Sequence, residues 1–375
     1  MKNPFVTNGY VSPEYFCDRE KETAKIVSLL MNENNIALIS PRRLGKTDLL
    51  RHCFGQSEIK EHYHTFIIDI YATSSVRDFV NVFGKAVLDE LRSKGKSVWS
   101  TFLNVLASLR SEITFDMNGQ PTWGIGLGAI TNPSATLDEI FSYLNNAGKP
   151  CLIAIDEFQQ ITKYTDDPNI EAALRTHIQR CSNAHFVFSG SHRHLMGAMF
   201  TSPARPFYQS VTLINLPPIS VDKYAEFCHK NFELAGKRLD TLVVTELYER
   251  FNGITSYMQK VMNILFSMTG AGEICIPSMI DTAINDLLDF SADTYDALLY
   301  QMPEKQRIAF MAIAAEGKAK AISSGDFVRK YRLQSASSVS SAVKGLLEKD
   351  FITYDKGIYQ VYDQFFQLWL QRNKL

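Results

Sequence analysis

Ile36-Ala37-Leu38-Ile39-Ser40-Pro41-Arg42-Arg43-Leu44-Gly45-Lys46-Thr47-Asp48-Leu49-Leu50-Arg51-His52-Cys53-Phe54 decides how this chain is read. The apolar run Ile36 to Ile39 after the turn residue Asn35 predicts a short buried strand. Ser40 to Gly45 then bends, and Lys46 to about Phe54 predicts a helix that Gly55 can end. Positions 40 to 47 match the phosphate-loop pattern G-x-x-x-x-G-K-[ST], with Ser40 where the first glycine is usual. The spacing has a physical reason. A glycine at 45 lets the backbone approach an anion, successive N–H groups line it, and the new helix adds the positive end of its dipole. The expected phosphate-binding set is Ser40, Pro41, Arg42, Arg43, Leu44, Gly45, Lys46, Thr47 and Asp48. In it Lys46 would bridge the β- and γ-phosphates and the Thr47 hydroxyl would ligate magnesium.

Working outward, Asp18 is expected to cap a helix that runs to about Met31. A second strand is expected at Thr65 to Ile70, followed by a helix that Ser75 opens and that places Val76, Phe79, Val80, Phe83, Val87, Leu88 and Leu91 on one face. Residues 97–130 are irregular, and Asn118-Gly119 predicts a hairpin between Ile113-Thr114-Phe115 and Trp123-Gly124-Ile125, so this stretch reads as an insertion. Further strands are expected at Cys151 to Ile155 and Phe186 to Phe188, with helices near 137–145 and 170–181. Near-continuously apolar strands alternating with helices predict an α/β core with a parallel sheet, over residues 1–218. Amphipathic helices dominate 219–300, and 301–375 reads as helices plus a hairpin around Asp355-Lys356-Gly357, the pattern of a winged helix.

The run Ile153-Ala154-Ile155-Asp156-Glu157 supplies the second half of the phosphate chemistry. A carboxylate at a strand's C-terminal end can reach the metal from the neighbouring strand, so Asp156 is expected to hold magnesium and Glu157 to polarise the attacking water. Ser189, and after it Ser191, would contact the γ-phosphate or that water. Arg193 and Arg205 are the candidates to neutralise charge in the transition state, within the chain or toward a neighbouring subunit. Other signals are weak. Gly124-x-Gly126-x-Gly128 lacks dinucleotide spacing, the histidines at 62, 64, 192 and 194 are too few for a metal site, and no N-K-x-D-like guanine reader follows the later strands.

With 375 residues and 45% hydrophobic content the chain can hold two or three domains, and a formal net charge of −1 excludes a globally basic polyanion binder. The six cysteines are dispersed without C-x-x-C spacing, and neither a secretory signal nor an uncharged apolar run of membrane-spanning length is present, so a cytoplasmic protein is expected. From 303 to 375 twelve basic side chains face seven acidic ones, an asymmetry that can mark a nucleic-acid face. The expected recognition helix, Ser335 to Lys349, offers mostly serines with Lys344 and Lys349, which favours a protein partner over DNA.

As an ordered set these motifs resemble the archaeal-type ATPases of the AAA+/STAND branch of P-loop NTPases. The resemblance is carried by Phe16-Cys17-Asp18-Arg19-Glu20-Lys21-Glu22, Pro41 to Thr47, Ile155-Asp156-Glu157-Phe158-Gln159 and Ser189-Gly190-Ser191. It implies an ATP- and magnesium-binding core, a helical lid over 219–300 and a C-terminal winged helix. It also implies Arg19 near the adenine and Gly253 to Tyr257 facing the nucleotide from the lid. The expected function is an ATP-hydrolysing switch that couples nucleotide state to the winged helix, with ATP and ADP, a protein partner and a nucleotide-dependent homo-oligomer as its associations. The alternative is a nucleotide-binding, DNA-associated regulator or mobile-element accessory protein with little or no turnover.

Overall fold

Alternation along the strands builds the core of the N-terminal part. In the computed structural model, which describes residues 2–106, 114–122 and 130–374, odd and even residues of the central strands divide between two apolar layers. Ala37, Ile39, Ile153, Ile155, Phe186 and Phe188 face one layer, and Ile36, Leu38, Leu152, Ala154 and Val187 the other. A sheet buried on both faces is the parallel α/β arrangement that the continuous apolar runs predict.

The elements of this unit, residues 8–219, run in the order α1 Glu20–Met31, β1 Ile36–Ile39, α2 Lys46–Phe54, α3 Ser57–His62, β2 His64–Asp69, α4 Val76–Arg92, α5 Lys96–Val105, β3 Thr114–Phe115, β4 Pro121–Thr122, α6 Pro133–Asn146, β5 Cys151–Asp156, α7 Ile170–Arg180, β6 Ala184–Gly190, α8 Arg193–Thr201 and β7 Thr212–Asn215. The sheet order is β2-β5-β6-β1-β7 and every pairing in it is parallel. Residues of α1, α2 and α3 pack in one layer, and residues of α4 to α8 in the other.

The structure corrects several sequence expectations. Asp18 does not cap α1: Asp18 and Arg19 both take left-handed backbone, and the N-cap residue is Arg19, without a side-chain hydrogen bond. His62 and His64, whose spacing of two predicts one face of a strand, are divided between the end of α3 and the start of β2. α2 does end at Gly55 as expected, although this C-cap is right-handed and leads almost directly into α3. The segment from 97 begins inside a helix, α5, whose Trp99, Phe102 and Leu103 join the core. The hairpin forms at β3 and β4, with Gly119 at φ 71°, whereas Ile113 and Trp123 to Ile125 lie outside the described residues, as do Gly124, Gly126 and Gly128. β7, a fifth strand at the sheet edge, was not foreseen, and β6 extends through Ser189 and Gly190. The helix α4 matches expectation: Ser75 Oγ accepts the Asp78 N–H at 3.1 Å and the seven predicted residues are buried.

The second unit contains residues 220–375 and also the chain up to Thr7. Its N-terminal part is clipped in place because Phe5 is buried among Phe227, Phe232 and Phe266, while Asn263 Nδ2 donates to Phe5 O at 2.7 Å. The elements are α9 Val221–Leu234, β8 Arg238–Leu239, α10 Thr241–Arg250, α11 Thr255–Met268, β9 Ile274–Cys275, α12 Met279–Gln301, α13 Glu304–Glu316, β10 Ala319–Lys320, α14 Gly325–Lys330, α15 Ala336–Glu348, β11 Ile352–Asp355, β12 Ile358–Val361 and α16 Gln364–Asn373. β10, β12 and β11 form the antiparallel sheet of a winged helix. The tight turn between β11 and β12 places Lys356 and Gly357 at positive φ, and α15 opens with Ser335 Oγ accepting the Ser338 N–H at 3.1 Å. Phe365, Phe366, Trp369 and Leu370 are buried, as a core helix requires.

Candidate functional site

Parallel strands deliver their C-terminal ends to one edge of the sheet, and there β1, β5 and β6 bring the predicted residues together. Ser40 leaves β1 fully buried, its N–H reaching Gly190 O at 3.4 Å and its Oγ donating to Pro41 O at 3.0 Å. The loop then reverses through Arg43 at φ 69° and Gly45 at φ 79°. A non-glycine residue in that region carries strain. α2 begins on Gly45 with no side-chain cap, so the first backbone donors of the helix lack that partner.

Lys46 lies buried under this loop, with Nζ donating to Ser40 O and Pro41 O, each at 3.2 Å. Burial pushes its pKa down, the Glu157 and Asp156 charges pull it up, and Arg42 and Arg193 push it down again. Thr47 Oγ1 makes a short hydrogen bond to Asp156 Oδ2, and Asp156 Oδ1 accepts the Glu157 N–H at 3.0 Å. Two hard oxygen groups therefore meet, one from the first turn of α2 and one from the end of β5, which is not the neighbour of β1 that the sequence suggests but stands one strand away across β6. They are a donor set suited to magnesium. The Asp48 carboxyl is raised by burial and turned to Arg51 and the Tyr10 N–H, so its side chain ties the loop to the preceding segment.

Glu157 sits at φ 55° immediately after β5. Its Oε2 accepts Ser191 Oγ–H at 2.7 Å and Gln159 Nε2–H at 2.5 Å, and Arg42 Nε lies 4.0 Å from Oε1. Ser189, by contrast, is fully buried within β6 and its Oγ has no hydrogen-bond partner among the described residues. Gly190 beside it is required by space. A Cβ there would stand 2.4 Å from Gln159 Oε1 and 2.5 Å from Met196 Sδ.

The two arginine candidates separate. Arg193, the exposed first residue of α8, lies close enough to act on Lys46. Arg205 instead donates from Nη2 to Glu171 Oε1 of α7 at 2.5 Å. Arg19 is buried and joins Glu22 Oε1 at 2.7 Å to Pro217 O at 2.8 Å, fastening the start of α1 to the segment after β7. Tyr257 belongs to the second unit's interior, where its hydroxyl donates to Tyr362 O at 3.1 Å and accepts the Gln364 N–H at 3.0 Å.

Three residues at this edge had no role in the sequence reading. Gln159 holds Glu157, Asp69 pairs in register with Asp156 and has its carboxyl raised chiefly by burial, and the Tyr71 ring lies 5.1 Å from the Arg42 guanidinium. Asp69 carried the one readable signal, an acidic residue ending an apolar strand. Among the described residues no cluster of three metal-ligating side chains occurs, and no helix is long and apolar enough to cross a membrane.

A family model described as "ATPase domain predominantly from Archaea" matches residues 16–261, and one described as "Probable winged helix domain" matches residues 293–372. No curated protein matches the chain. Among solved structures, the Walker-type ATPase of Pyrococcus abyssi is 16% identical at a TM-score of 0.64, over 98% of this chain and 99% of that one. The Aeropyrum pernix ORC2 protein in ADPNP–ADP complexes is 12% identical at 0.55, over 99% and 98%. The Aeropyrum pernix ORC1 protein in complex with DNA is 12% identical at 0.54, over 96% and 94%. At these identities the likeness is one of fold.

Proposed function

Because the chain belongs to the ATPase domain family found predominantly in Archaea, we propose that it binds ATP with magnesium at the loop 40–47, hydrolyses it, and uses the change of nucleotide state as a switch. The observation that carries this reading is the meeting of Thr47 with Asp156 beside the buried Lys46.

Backbone N–H groups of the loop and the uncapped start of α2 receive the phosphates. Lys46 exchanges the carbonyls of Ser40 and Pro41 for the β- and γ-phosphate oxygens, which relieves an ammonium held in a low-dielectric site. Thr47 and Asp156 would hold a magnesium ion, which when bound would neutralise charge on those oxygens. Glu157 orients and polarises the attacking water, and Arg193 is assigned the charge that grows on the transferred group. Arg205, committed to Glu171, is not. Residues 219–300 are proposed as the lid that follows nucleotide state and 301–375 as the winged helix it moves, with a protein partner or a second copy as the receiver.

A second reading, a DNA-associated regulator with slow turnover, is favoured by the excess of basic side chains from 303 to 375 and by the solution of the similar ORC1 protein with DNA. One experiment separates the two: steady-state phosphate release and ATP binding for the wild type beside Glu157→Gln. The switch reading expects turnover by the wild type and a loss of roughly 100-fold in Glu157→Gln with binding retained. ATP binding without phosphate release in the wild type, together with duplex binding that weakens with salt, would favour the second.

A further inference from the structure

Arg42, Ser191 and Glu157 form a hydrogen-bonded chain across three loops at the C-terminal end of the sheet. Arg42 Nε–H donates to Ser191 Oγ at 3.0 Å, and Ser191 Oγ–H donates to Glu157 Oε2 at 2.7 Å. The direction of each bond is forced. A guanidinium only donates, so Ser191 must accept from Arg42 and send its single hydrogen to the carboxylate. Gln159 Nε2–H supplies a second donor to the same oxygen at 2.5 Å.

The consequence is an asymmetry within one carboxylate. Oε2 accepts two hydrogen bonds, whereas Oε1 accepts none from a described residue and stands 4.0 Å from Arg42 Nε. A carboxylate pinned through one oxygen keeps the other open and aimed. Arg42 is itself steadied, its guanidinium lying 5.1 Å from the centre of the Tyr71 ring and its side chain only 19% exposed. The clasp also supports Glu157 in its left-handed backbone, a conformation that persists only where its surroundings fix it.

We propose that Arg42 and Ser191 are positioning residues for hydrolysis: Arg42 fixes the direction of the Ser191 hydroxyl, which holds the Glu157 carboxylate with Oε1 presented to the attacking water. This rests on the hydrolytic reading above. It gives Arg42 a side-chain task distinct from the backbone contacts of a phosphate loop, and gives Ser191 a task that does not require touching the γ-phosphate.

The test is a double-mutant cycle on Arg42→Ala and Ser191→Ala, with kcat for phosphate release and the Kd for ATP measured separately and folding followed by melting. Each single change is expected to lower kcat by about 10- to 100-fold, the range of a hydrogen bond to a charged group, while Kd moves by less than about threefold. The double variant should lose no more than the worse single one, because Arg42 acts through Ser191. Arg42→Lys, which still donates, should recover part of the loss. Additive losses would overturn the proposal, as would an Arg42→Ala variant that binds ATP poorly at unchanged kcat, since that marks a direct phosphate contact. If Arg42→Ala does not fold, Ser191→Ala decides alone: an unchanged kcat sinks the idea. Wild-type protein that binds ATP and releases no phosphate overturns the hydrolytic reading and this one with it. Wild-type turnover that the variants leave intact overturns this one only.

Discussion

The helices that open at Lys46 and at Ala336 begin in opposite ways. α15 is closed by its own sequence, with Ser335 in extended backbone accepting the Ser338 N–H. α2 starts on the left-handed Gly45, which has no side chain to offer. The contrast extends to the surrounding units. Around α2 the sheet end buries Lys46, Asp156, Ser189 and Gln159, and two of these, Ser189 Oγ and Gln159 Oε1, lack a hydrogen-bond partner among the described residues. In the second unit the buried polar residues Asn231 and Thr269 each bond a backbone carbonyl at 2.8 Å. Polar groups left under-satisfied lower stability unless something else meets them. Such atoms also occur in the second unit, at Thr255 Oγ1 and Gln364 Oε1, so what sets the sheet edge apart is that they lie there beside a buried lysine and carboxylate and an uncapped helix start.

Lys46→Met tests that contrast most severely. It should weaken ATP binding by at least about 100-fold, the loss of charge-assisted hydrogen bonds to phosphate, and yet raise the melting temperature of the ligand-free protein at pH 7. The sign follows from the lowered pKa. A buried ammonium whose folded pKa lies below its free value of 10.5 is a burden that is fully present below the folded pKa and is relieved as pH rises toward 10.5. The stability gap between variant and wild type should therefore narrow with rising pH. A variant that melts below the wild type at pH 7 would break the comparison, because Lys46 would then be part of what stabilises the core.

Gly190→Ala probes the same edge through space rather than charge. The added methyl has nowhere to go between Gln159 Oε1 and Met196 Sδ, both on buried side chains. Overpacking of this kind should cost about 1–3 kcal/mol and disturb the amide that holds Glu157. Thermal melting together with phosphate release would show both effects, and an unchanged melting curve would mean that the edge is looser than its packing indicates.

What could be read from the sequence was what is local. Ser40 to Thr47 and Asp156-Glu157 announce themselves because their residues are adjacent, and strands flanking them are short apolar runs. The winged helix was legible from the polar turn at Asp355-Lys356-Gly357 for the same reason. By contrast α5 was missed because Ser97, Val98, Ser100 and Thr101 are weak helix formers, and burial of Trp99, Phe102 and Leu103 overrides them. β7 has only four residues, of which Ile214 alone is buried, so no alternation stood out. The failure of Asp18 as a cap turns on two successive left-handed residues, which no propensity foretells. Within the site, the link from Arg42 to Ser191 spans 149 positions and depends on the strand order that places β6 beside β1. The side-chain roles of Arg42, Ser191 and Gln159 needed that order before they could be seen.

Gly345→Ala sharpens the comparison from the other side. Its Cβ would stand 2.3 Å from Gln306 Nε2, closer than the contacts at Gly190, so distance alone predicts the worse outcome. The neighbour decides otherwise. Gln306 is only partly buried and its Oε1 accepts from the exposed Lys349 at 3.3 Å, so its amide can swing away. Gly345 lies inside α15 at ordinary helical backbone, where alanine is favoured over glycine by roughly 0.5–1 kcal/mol. The expected result is a small gain in melting temperature with nucleotide binding and phosphate release unchanged. A loss as large as that at Gly190 would mean the winged helix is packed as tightly as the sheet edge, and that burial of polar groups, not rigidity, is all that sets the two regions apart.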